Sequence, residues 1–297
     1  NVSSSSFNGV IFTTSSTDSQ YLGYSVGSVD LNVDGHVDLV IGAPADSNTG
    51  NVHVIWGGRP SSSPLPSSMS LPVSTTQQGC SFTSTTSYSR FGYAMSTTGD
   101  INGDNNNDLV FSSFAQNKVI VVFSSKTVTW SLGMTVIPNS VSFTDSTSGY
   151  GTGLSIATGD INGDGFDDVF IGAPYYSSKG AVYVWFGSSS PSSFTVPYYS
   201  SPDGITWSRI IGNMASGYFG WAVGSIPGLA GTADDLITGA YSAFSQMGMG
   251  YIVSHTICKT QSNDGKKCTK CIRGYGLDST AGSCTACIDN KWSDGTT

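Results

Sequence analysis

An acidic segment recurs three times in this chain of 297 residues and constrains its fold more than any other feature. One copy runs from Asp160 to Asp168, and the other two run from Asp30 to Asp38 and from Asp100 to Asp108. In each copy, oxygen-bearing side chains stand at relative positions 1, 3, 5 and 9. Alternate residues of a tight loop can turn their oxygens to one side, and Ca²⁺ is a hard cation that prefers oxygen ligands. The spacing therefore predicts three calcium-binding loops.

The predicted ligands occupy positions 1, 3, 5, 7 and 9 of each loop. Position 7 has no shared side-chain chemistry, which suits a backbone carbonyl ligand. Position 6 is Gly35, Asn105 or Gly165, and these residue types tolerate the left-handed backbone of a sharp turn. The full set is Asp30, Asn32, Asp34, His36 and Asp38, then Asp100, Asn102, Asp104, Asn106 and Asp108, then Asp160, Asn162, Asp164, Phe166 and Asp168.

The segments that flank the loops predict strands rather than helices. An EF-hand would place a bidentate Glu at position 12 between two helices. Here position 12 is Ile41, Phe111 or Ile171, inside short runs of β-branched and aromatic residues. Two of these runs end in Gly-Ala-Pro, which is typical of a turn.

Each loop belongs to a longer repeat. An aromatic and glycine signal precedes every loop, and a further apolar segment follows it, so one unit is a small antiparallel sheet. A fourth unit begins at Phe219 and Gly220, but it carries Ser225, Pro227 and Leu229 where the first three ligands should stand. We expect this fourth unit to bind no calcium.

Composition narrows the class of protein. The chain is 38% hydrophobic and contains 37 Gly, which fits a globular fold rich in turns. The formal net charge of −8 comes largely from the loop carboxylates, so a nucleic-acid partner is not expected. No run of about 18 apolar residues predicts a membrane span. We expect an extracellular protein whose leader has been removed, with Asn1 in a glycosylation pattern.

The repeats resemble FG-GAP repeats, the blades of the integrin α-chain β-propeller. The resemblance is carried by Phe91-Gly92, Phe219-Gly220, Tyr21 with Gly23, the two Gly-Ala-Pro turns and the three loops. It implies that residues 1–254 form an all-β propeller of about four blades, with structural Ca²⁺ in the loops. Together with the cysteine-rich extension and the possible exchanged strand described below, it favours an extracellular adhesion or structural protein that binds other proteins or itself, including as a filament or surface-coat subunit. The resemblance does not fix function, because propellers of this kind occur in adhesion receptors, lectin-like proteins and accessory domains of enzymes.

The number of strands leaves one question open. A blade needs four strands, and the last repeat ends near Val253 with three. The segment from Gly9 to Thr13 is similar to the segments that end the other repeats, so it is expected to complete the last blade and close the ring. The alternative is that this strand is donated to a neighbouring molecule, which would build a head-to-tail polymer.

Residues 255–297 form a separate cysteine-rich module. Its spacing fits either a four-cysteine zinc ribbon or a set of disulfides, and an oxidising compartment favours disulfides. The segment Gly274 to Asp278 resembles a step of growth-factor-receptor-like modules. We expect staggered pairing within the module, and a bridge from Cys80 to Cys258, because six cysteines allow three bridges. The disulfide candidates are Cys80, Cys258, Cys268, Cys271, Cys284 and Cys287.

Catalysis has little support in the sequence. The three histidines lie in unrelated contexts, and there is neither a nucleophile elbow nor a Gly-rich phosphate loop. The chain is therefore expected not to be an enzyme. Aromatic residues at the repeat starts, Tyr24, Tyr93 and Trp221, favour an alternative in which the propeller binds glycans, since aromatic rings stack on sugars.

Overall fold

The computed structural model contains 22 strands and only single-turn helices among the residues it describes. These are residues 9–14, 21–45, 49–59, 66–196, 207–228, 233–243 and 248–254, with the short strands of residues 258–261, 268–271, 275–278 and 283–286. Within these ranges, none of the helices has the length and apolar content needed to cross a membrane. Asn1 and Cys287 lie outside the described residues.

The strands follow one another at short intervals along the chain. The first half contains β1 (Ile11–Thr14), β2 (Ser25–Val29), β3 (Asp38–Ala43), β4 (Asn51–Ile55), β5 (Ser68–Leu71), β6 (Gly79–Thr83), β7 (Phe91–Gly99), β8 (Asp108–Ser113), β9 (Lys118–Val122) and β10 (Ser140–Asp145). The second half contains β11 (Ile156–Gly159), β12 (Asp168–Ala173), β13 (Ala181–Trp185), β14 (Phe194–Val196), β15 (Trp207–Ile211), β16 (Phe219–Ile226), β17 (Asp235–Ala240) and β18 (Met249–Ser254). The last four are β19 (Cys258–Gln261), β20 (Cys268–Cys271), β21 (Tyr275–Asp278) and β22 (Ser283–Ala286).

Each repeat forms its own antiparallel sheet. Blade 1 has the strand order β2-β3-β4-β6, blade 2 has β7-β8-β9-β10, and blade 3 has β11-β12-β13-β15. Blade 4 has three strands, β16-β17-β18. The predicted all-β class and the predicted blades are thereby confirmed, and each blade corresponds to one repeat of the sequence.

The core lies between blades. Consecutive inner strands pack side by side, β2 on β7, β7 on β11 and β11 on β16. Between blades 1 and 2, buried Val52 and Phe82 share one cluster with Phe111 of the next sheet. Burying a side chain of this size contributes about 1.5–3 kcal/mol. The strands of blades 2 and 3 are apolar on both faces, since a neighbouring sheet covers each side.

Glycine allows the blades to approach at the seams. A Cβ on Gly42 of blade 1 would lie 2.3 Å from the carbonyl oxygen of Gly92 in blade 2. The Ser25 hydroxyl donates to the same oxygen at 2.7 Å. Gly172 and Gly220 repeat this contact between blades 3 and 4, where the added Cβ would lie 2.2 Å from the oxygen. The glycine of Gly-Ala-Pro therefore faces the glycine after the aromatic residue of the next repeat.

The N-terminal strand pairs with a segment of blade 1. β1 pairs in parallel with β5, which lies between the third and fourth strands of blade 1 along the chain, and no described strand pairs with the free edge of β18. The expected pairing of this segment with the last blade is therefore not seen among the described strands. The apolar residues of β5 and β1 hold β1 in place, because Val10 and Phe12 pack on the cluster that contains Ile41 and Leu71.

Cys80 also differs from its predicted role. It is a free cysteine with no exposed surface, and it packs in the cluster between blades 1 and 2. Burial raises the pKa of its thiol well above the usual range. This inward position on β6 does not support the expected bridge to Cys258.

The C-terminal strands pair locally. β19 pairs antiparallel with β20, with Cys258 opposite Cys271, and β21 pairs antiparallel with β22. The side chains of the module lie outside the described residues, so its disulfides and the division at residues 254 and 255 stay predictions.

Candidate calcium-binding loops and aromatic face

The three acidic loops connect the first and second strands of blades 1, 2 and 3. The position-9 carboxylates, Asp38, Asp108 and Asp168, are the first residues of β3, β8 and β12 and have no exposed surface. The Asp168 carboxylate accepts hydrogen bonds from the amides of Ile161 at 3.1 Å and Gly187 at 2.9 Å. Each loop is thus anchored to its blade by a buried acid at its end.

The side chains at positions 1, 3 and 5 converge in each loop. In the third loop, the amide of Asp164 donates both to Asp160 Oδ1 at 3.1 Å and to Asn162 Oδ1 at 2.9 Å. The Asn162 amide group in turn donates to Asp164 Oδ2 at 2.9 Å. The first and second loops repeat these three contacts. Because the position-5 amide donates to side-chain oxygens of both position 1 and position 3, these oxygens lie on the same side of the turn.

Position 6 has the backbone expected from the sequence. Gly35, Asn105 and Gly165 have φ values of 89°, 65° and 88°. Their amides donate to Oδ2 of the position-1 aspartate at 2.7–2.9 Å. The left-handed residue therefore turns its amide back to the first carboxylate and closes the loop.

Burial without a cationic partner distinguishes the position-9 carboxylates. It raises the pKa of Asp38 to about 6, of Asp108 to about 7 and of Asp168 to about 8, although two backbone amides oppose the shift in each case. The carboxylates at positions 1 and 5 raise the pKa further by repulsion. Among the described residues, no cationic side chain forms an ion pair with Asp38, Asp108 or Asp168. A buried negative charge is costly unless it is paired or coordinates a metal. The oxygen set therefore fits a hard divalent cation.

The candidate metal ligands of each loop include groups other than acidic side chains. In the described part of the chain, no three His, Cys, Asp or Glu side chains are gathered as a metal cluster. The site depends on the asparagine at position 3 and on the carbonyl at position 7 as well. The position-7 side chains differ in their contacts: the His36 ring lies 3.2 Å from Asp34, Asn106 donates to Asp104, and the Phe166 ring lies over Gly103.

Asp167 is a residue that the sequence analysis did not select. Its carboxylate accepts from the amide of Asp100 at 2.8 Å, and its own amide donates to the Asp100 carbonyl at 2.9 Å. It therefore links the third loop to the second across a blade seam. Burial raises its pKa, and nearby Asp234, Asp160 and Asp100 add to the shift. The adjacent aspartates Asp167-Asp168 recur as Asp234-Asp235, and this repetition is the sequence signal that could have identified Asp167.

The fourth loop keeps only part of the pattern. Asp235 is buried at the start of β17, as the position-9 carboxylates are in the other blades. Ser225 stands at position 1, and its hydroxyl donates to Asp234 Oδ2 at 3.2 Å. Leu229 lies outside the described residues. A hydroxyl–carboxylate contact replaces the converging carboxylates here.

Aromatic rings gather at the other end of the blades, where the first strands begin and the second strands end. We call this the aromatic face, and it consists of Tyr24, Tyr93, Phe114, Tyr175, Tyr218, Trp221 and Tyr241. Tyr24 donates to Tyr93 through their hydroxyls at 2.8 Å, and the rings of Trp221 and Tyr241 lie 4.4 Å apart. Beside Trp221 lies an open groove of about 560 Å³ that Met249 also lines. Tyr24 and Tyr241 are 53% and 52% exposed, so these rings are available to a ligand.

Residues 22–55 and 152–185 match the FG-GAP repeat. These ranges contain the first and third acidic loops with the strands on either side. Each range includes a Gly-Ala-Pro segment, whose Gly42 or Gly172 lies at a seam between blades.

Integrin chains are among the curated relatives. Integrin alpha-IIb of Mus musculus is 31% identical over 178 residues, which is 55% of this chain and 16% of the relative. Integrin alpha-PS5 of Drosophila melanogaster is 32% identical over 178 residues, 56% of this chain and 16% of the relative. The phosphatidylinositol-glycan-specific phospholipase D of Homo sapiens is 31% identical over 187 residues, 57% of this chain and 21% of the relative. The chain thus spans about a fifth or less of the length of these relatives.

Proposed function

We propose that this chain is an extracellular, calcium-stabilised FG-GAP domain with an adhesive or structural role, which binds other proteins or further copies of itself. The observation that carries the proposal is the set of three loops whose oxygens converge beside a buried carboxylate with no cationic partner. Similarity to integrin chains supports the adhesive role and the extracellular location. No catalytic residue is part of the proposal, although one relative is a phospholipase by name.

The loop residues would hold Ca²⁺ through the side-chain oxygens at positions 1, 3, 5 and 9 and the carbonyl at position 7. A bound ion would supply positive charge beside the carboxylates of positions 1, 5 and 9. The aspartate at position 1 holds the turn closed through the amides of positions 5 and 6. The buried aspartate at position 9 accepts from the position-2 amide and from the amide of the second residue after the third strand, which ties the loop to its blade. Calcium bound only by the folded loop stabilises its blade by mass action.

Calorimetric titration with Ca²⁺, together with thermal unfolding in Ca²⁺ and in chelator, tests this role. We expect about three bound ions and a lower melting temperature in chelator. Asp164→Ala should remove one ion, because it deletes the position-5 ligand. Asp234→Ala in blade 4 is the control and should leave the stoichiometry unchanged. Identical melting of the wild-type protein in Ca²⁺ and in chelator would contradict the proposal.

Glycan binding is the second candidate function, and the aromatic face favours it. Exposed aromatic rings beside an open groove can stack on sugar rings. A glycan array probed in the presence of Ca²⁺ tests this candidate, and Trp221→Ala should weaken any signal. Trp130→Ala is a useful control, since Trp130 is buried in the core between blades 1 and 2. A silent array would exclude this candidate and leave protein binding.

A further inference from the structure

The outer strands of the blades share a pairing that explains the position of β1. The outer strands of blades 1 and 2 each carry a phenylalanine that pairs in parallel with a residue from the segment of the next blade. Phe82 of β6 pairs with Met134, and Phe143 of β10 pairs with Phe194. Phe12 of β1 pairs in the same way with Met69 of β5. β1 therefore lies where the outer strand of a blade preceding blade 1 would lie.

Blade 4 lacks the complementary element. In blades 1, 2 and 3 the outer strand covers the third strand, with Phe82 opposite Val52, Phe143 opposite Val119 and Ile210 opposite Val182. The register of β17 with β18 makes Gly250 the counterpart of these valines. No described strand lies opposite Gly250.

The uncovered face of blade 4 is apolar. Ile252 is the counterpart of Val54, Val121 and Val184, by its pairing with Ile237. Those three valines are at most 2% exposed, whereas Ile252 is 55% exposed. A face that is buried in every other blade is thus open only where no blade follows.

Two glycines show the same incomplete seam. At a seam within the chain, a glycine near the end of the second strand of one blade lies against the glycine at the start of the next blade, as Gly42 does with Gly92. Gly239 of blade 4 and Gly23 of blade 1 occupy these positions, and neither has a neighbour within 4 Å of an added Cβ. Gly239 corresponds to Gly42, which faces the following blade. Gly23 corresponds to Gly92, which faces the preceding blade. The described chain therefore contains both halves of one more seam.

These halves do not meet within one molecule of this structure. The inner strands pack in the order β2, β7, β11 and β16, and no comparable packing joins β16 to β2 in the described ranges. β1 is held by β5 of its own blade 1. Among the described residues, none of the four blades therefore presents the first-blade surface to the open face of blade 4.

We propose that a second copy of this chain supplies that surface. β1 of one copy pairs antiparallel with β18 of the other, with Phe12 opposite Gly250 and Thr13 opposite Met249. Blade 1 of the first copy then packs on Ile237 and Ile252, and Gly23 meets Gly239. The contact joins different surfaces of the two copies, so it closes into a ring or continues as a filament. This inference rests on the self-association named in the proposed function and specifies its interface.

Light scattering of the full chain in Ca²⁺ is the first test. We expect a mass of at least twice the monomer mass of 30.9 kDa, rising or saturating with concentration. Gly239→Val should reduce the fraction of assembled protein by at least tenfold, because the side chain has free space in one molecule but collides at the seam. Gly250→Val is the matched control and should leave the assembly intact, because complete blades carry valine at its counterpart position. A wild-type monomer at all concentrations, or equal effects of the two variants, would overturn the proposal.

Cross-linking identifies the source of the strand. Thr13→Cys and Met249→Cys, made on separate chains and mixed under oxidising conditions, should give a disulfide-linked species of twice the monomer mass that neither variant gives alone. A chain carrying both substitutions that cross-links only within itself would overturn the proposal in favour of ring closure. Thermal unfolding in Ca²⁺ and in chelator is measured on the same samples. A calcium-dependent shift in a protein that stays monomeric would reject this interface while the proposed calcium role stands.

Discussion

Blades 3 and 4 have related sequences but differ in what surrounds them. Blade 3 has four strands, a full acidic loop and neighbours on both faces. Blade 4 has three strands, a loop without the converging carboxylates and one open face. Phe170 is fully buried in blade 3, whereas its counterpart Ile237 is half-buried. Burial at a repeat position therefore depends on the next blade more than on the residue itself.

The largest effect on stability is expected when an aromatic side chain is removed from the core beside blade 3. Phe170→Ala should lower the free energy of unfolding by about 3–5 kcal/mol, because it removes buried surface and leaves a cavity. Ile237→Ala, at the same position of blade 4, should cost clearly less in a monomeric sample. Denaturant unfolding at low protein concentration measures both. Equal costs would show that the open face is covered in a single molecule.

The second largest expected effect is on calcium-dependent stability, which should change in blade 3 but not in blade 4. Asp168→Asn should remove about 2–3 kcal/mol of calcium-dependent stability, since an ion present at about 100 times its Kd contributes about 2.7 kcal/mol. The equivalent change in blade 4, Asp235→Asn, should leave the difference between Ca²⁺ and chelator unchanged. Thermal unfolding under both conditions provides the measurement. If the two variants lose the same calcium response, blade 4 also binds the ion.

The dependence of stability on pH should have opposite signs in the presence and in the absence of Ca²⁺. Asp168 has a folded pKa raised from 3.8 to about 8, so its contribution to stability without metal is present below pH 3.8 and is lost as pH rises through 8. With Ca²⁺, protons compete for the same oxygens, so calcium-dependent stabilisation should weaken as pH falls from 8 towards 5. Melting temperatures across this range, in chelator and in Ca²⁺, test both slopes. Parallel slopes would contradict proton competition at the loops.

The smallest effect is expected at the seam glycines. Gly239→Ala should stabilise the monomer by at most about 0.5–1 kcal/mol, because alanine is favoured over glycine inside a strand. Gly172→Ala should destabilise, because its Cβ would lie 2.2 Å from the Gly220 oxygen. Unfolding of both variants at low concentration provides the comparison. A destabilised Gly239→Ala monomer would mean that a contact already exists at this seam.

Residue spacing allowed much of the local structure to be predicted. The alternation of oxygens predicted loops whose side chains converge, and position 6 predicted the left-handed turn. Asp167 was missed because its role depends on Asp100 of another blade, which no local pattern reports.

The sequence by itself determined the all-β class, the repeat unit and the chemistry of the loops, because these depend on periodicity and short-range spacing. Tertiary structure alone decided that β1 lies against β5, that Cys80 is a buried free thiol and that the aromatic rings share one face. These features depend on contacts between residues far apart in the chain. The local pattern of β1 predicts a strand but does not say which strands it pairs with, so only the packing of the blades decides its partners.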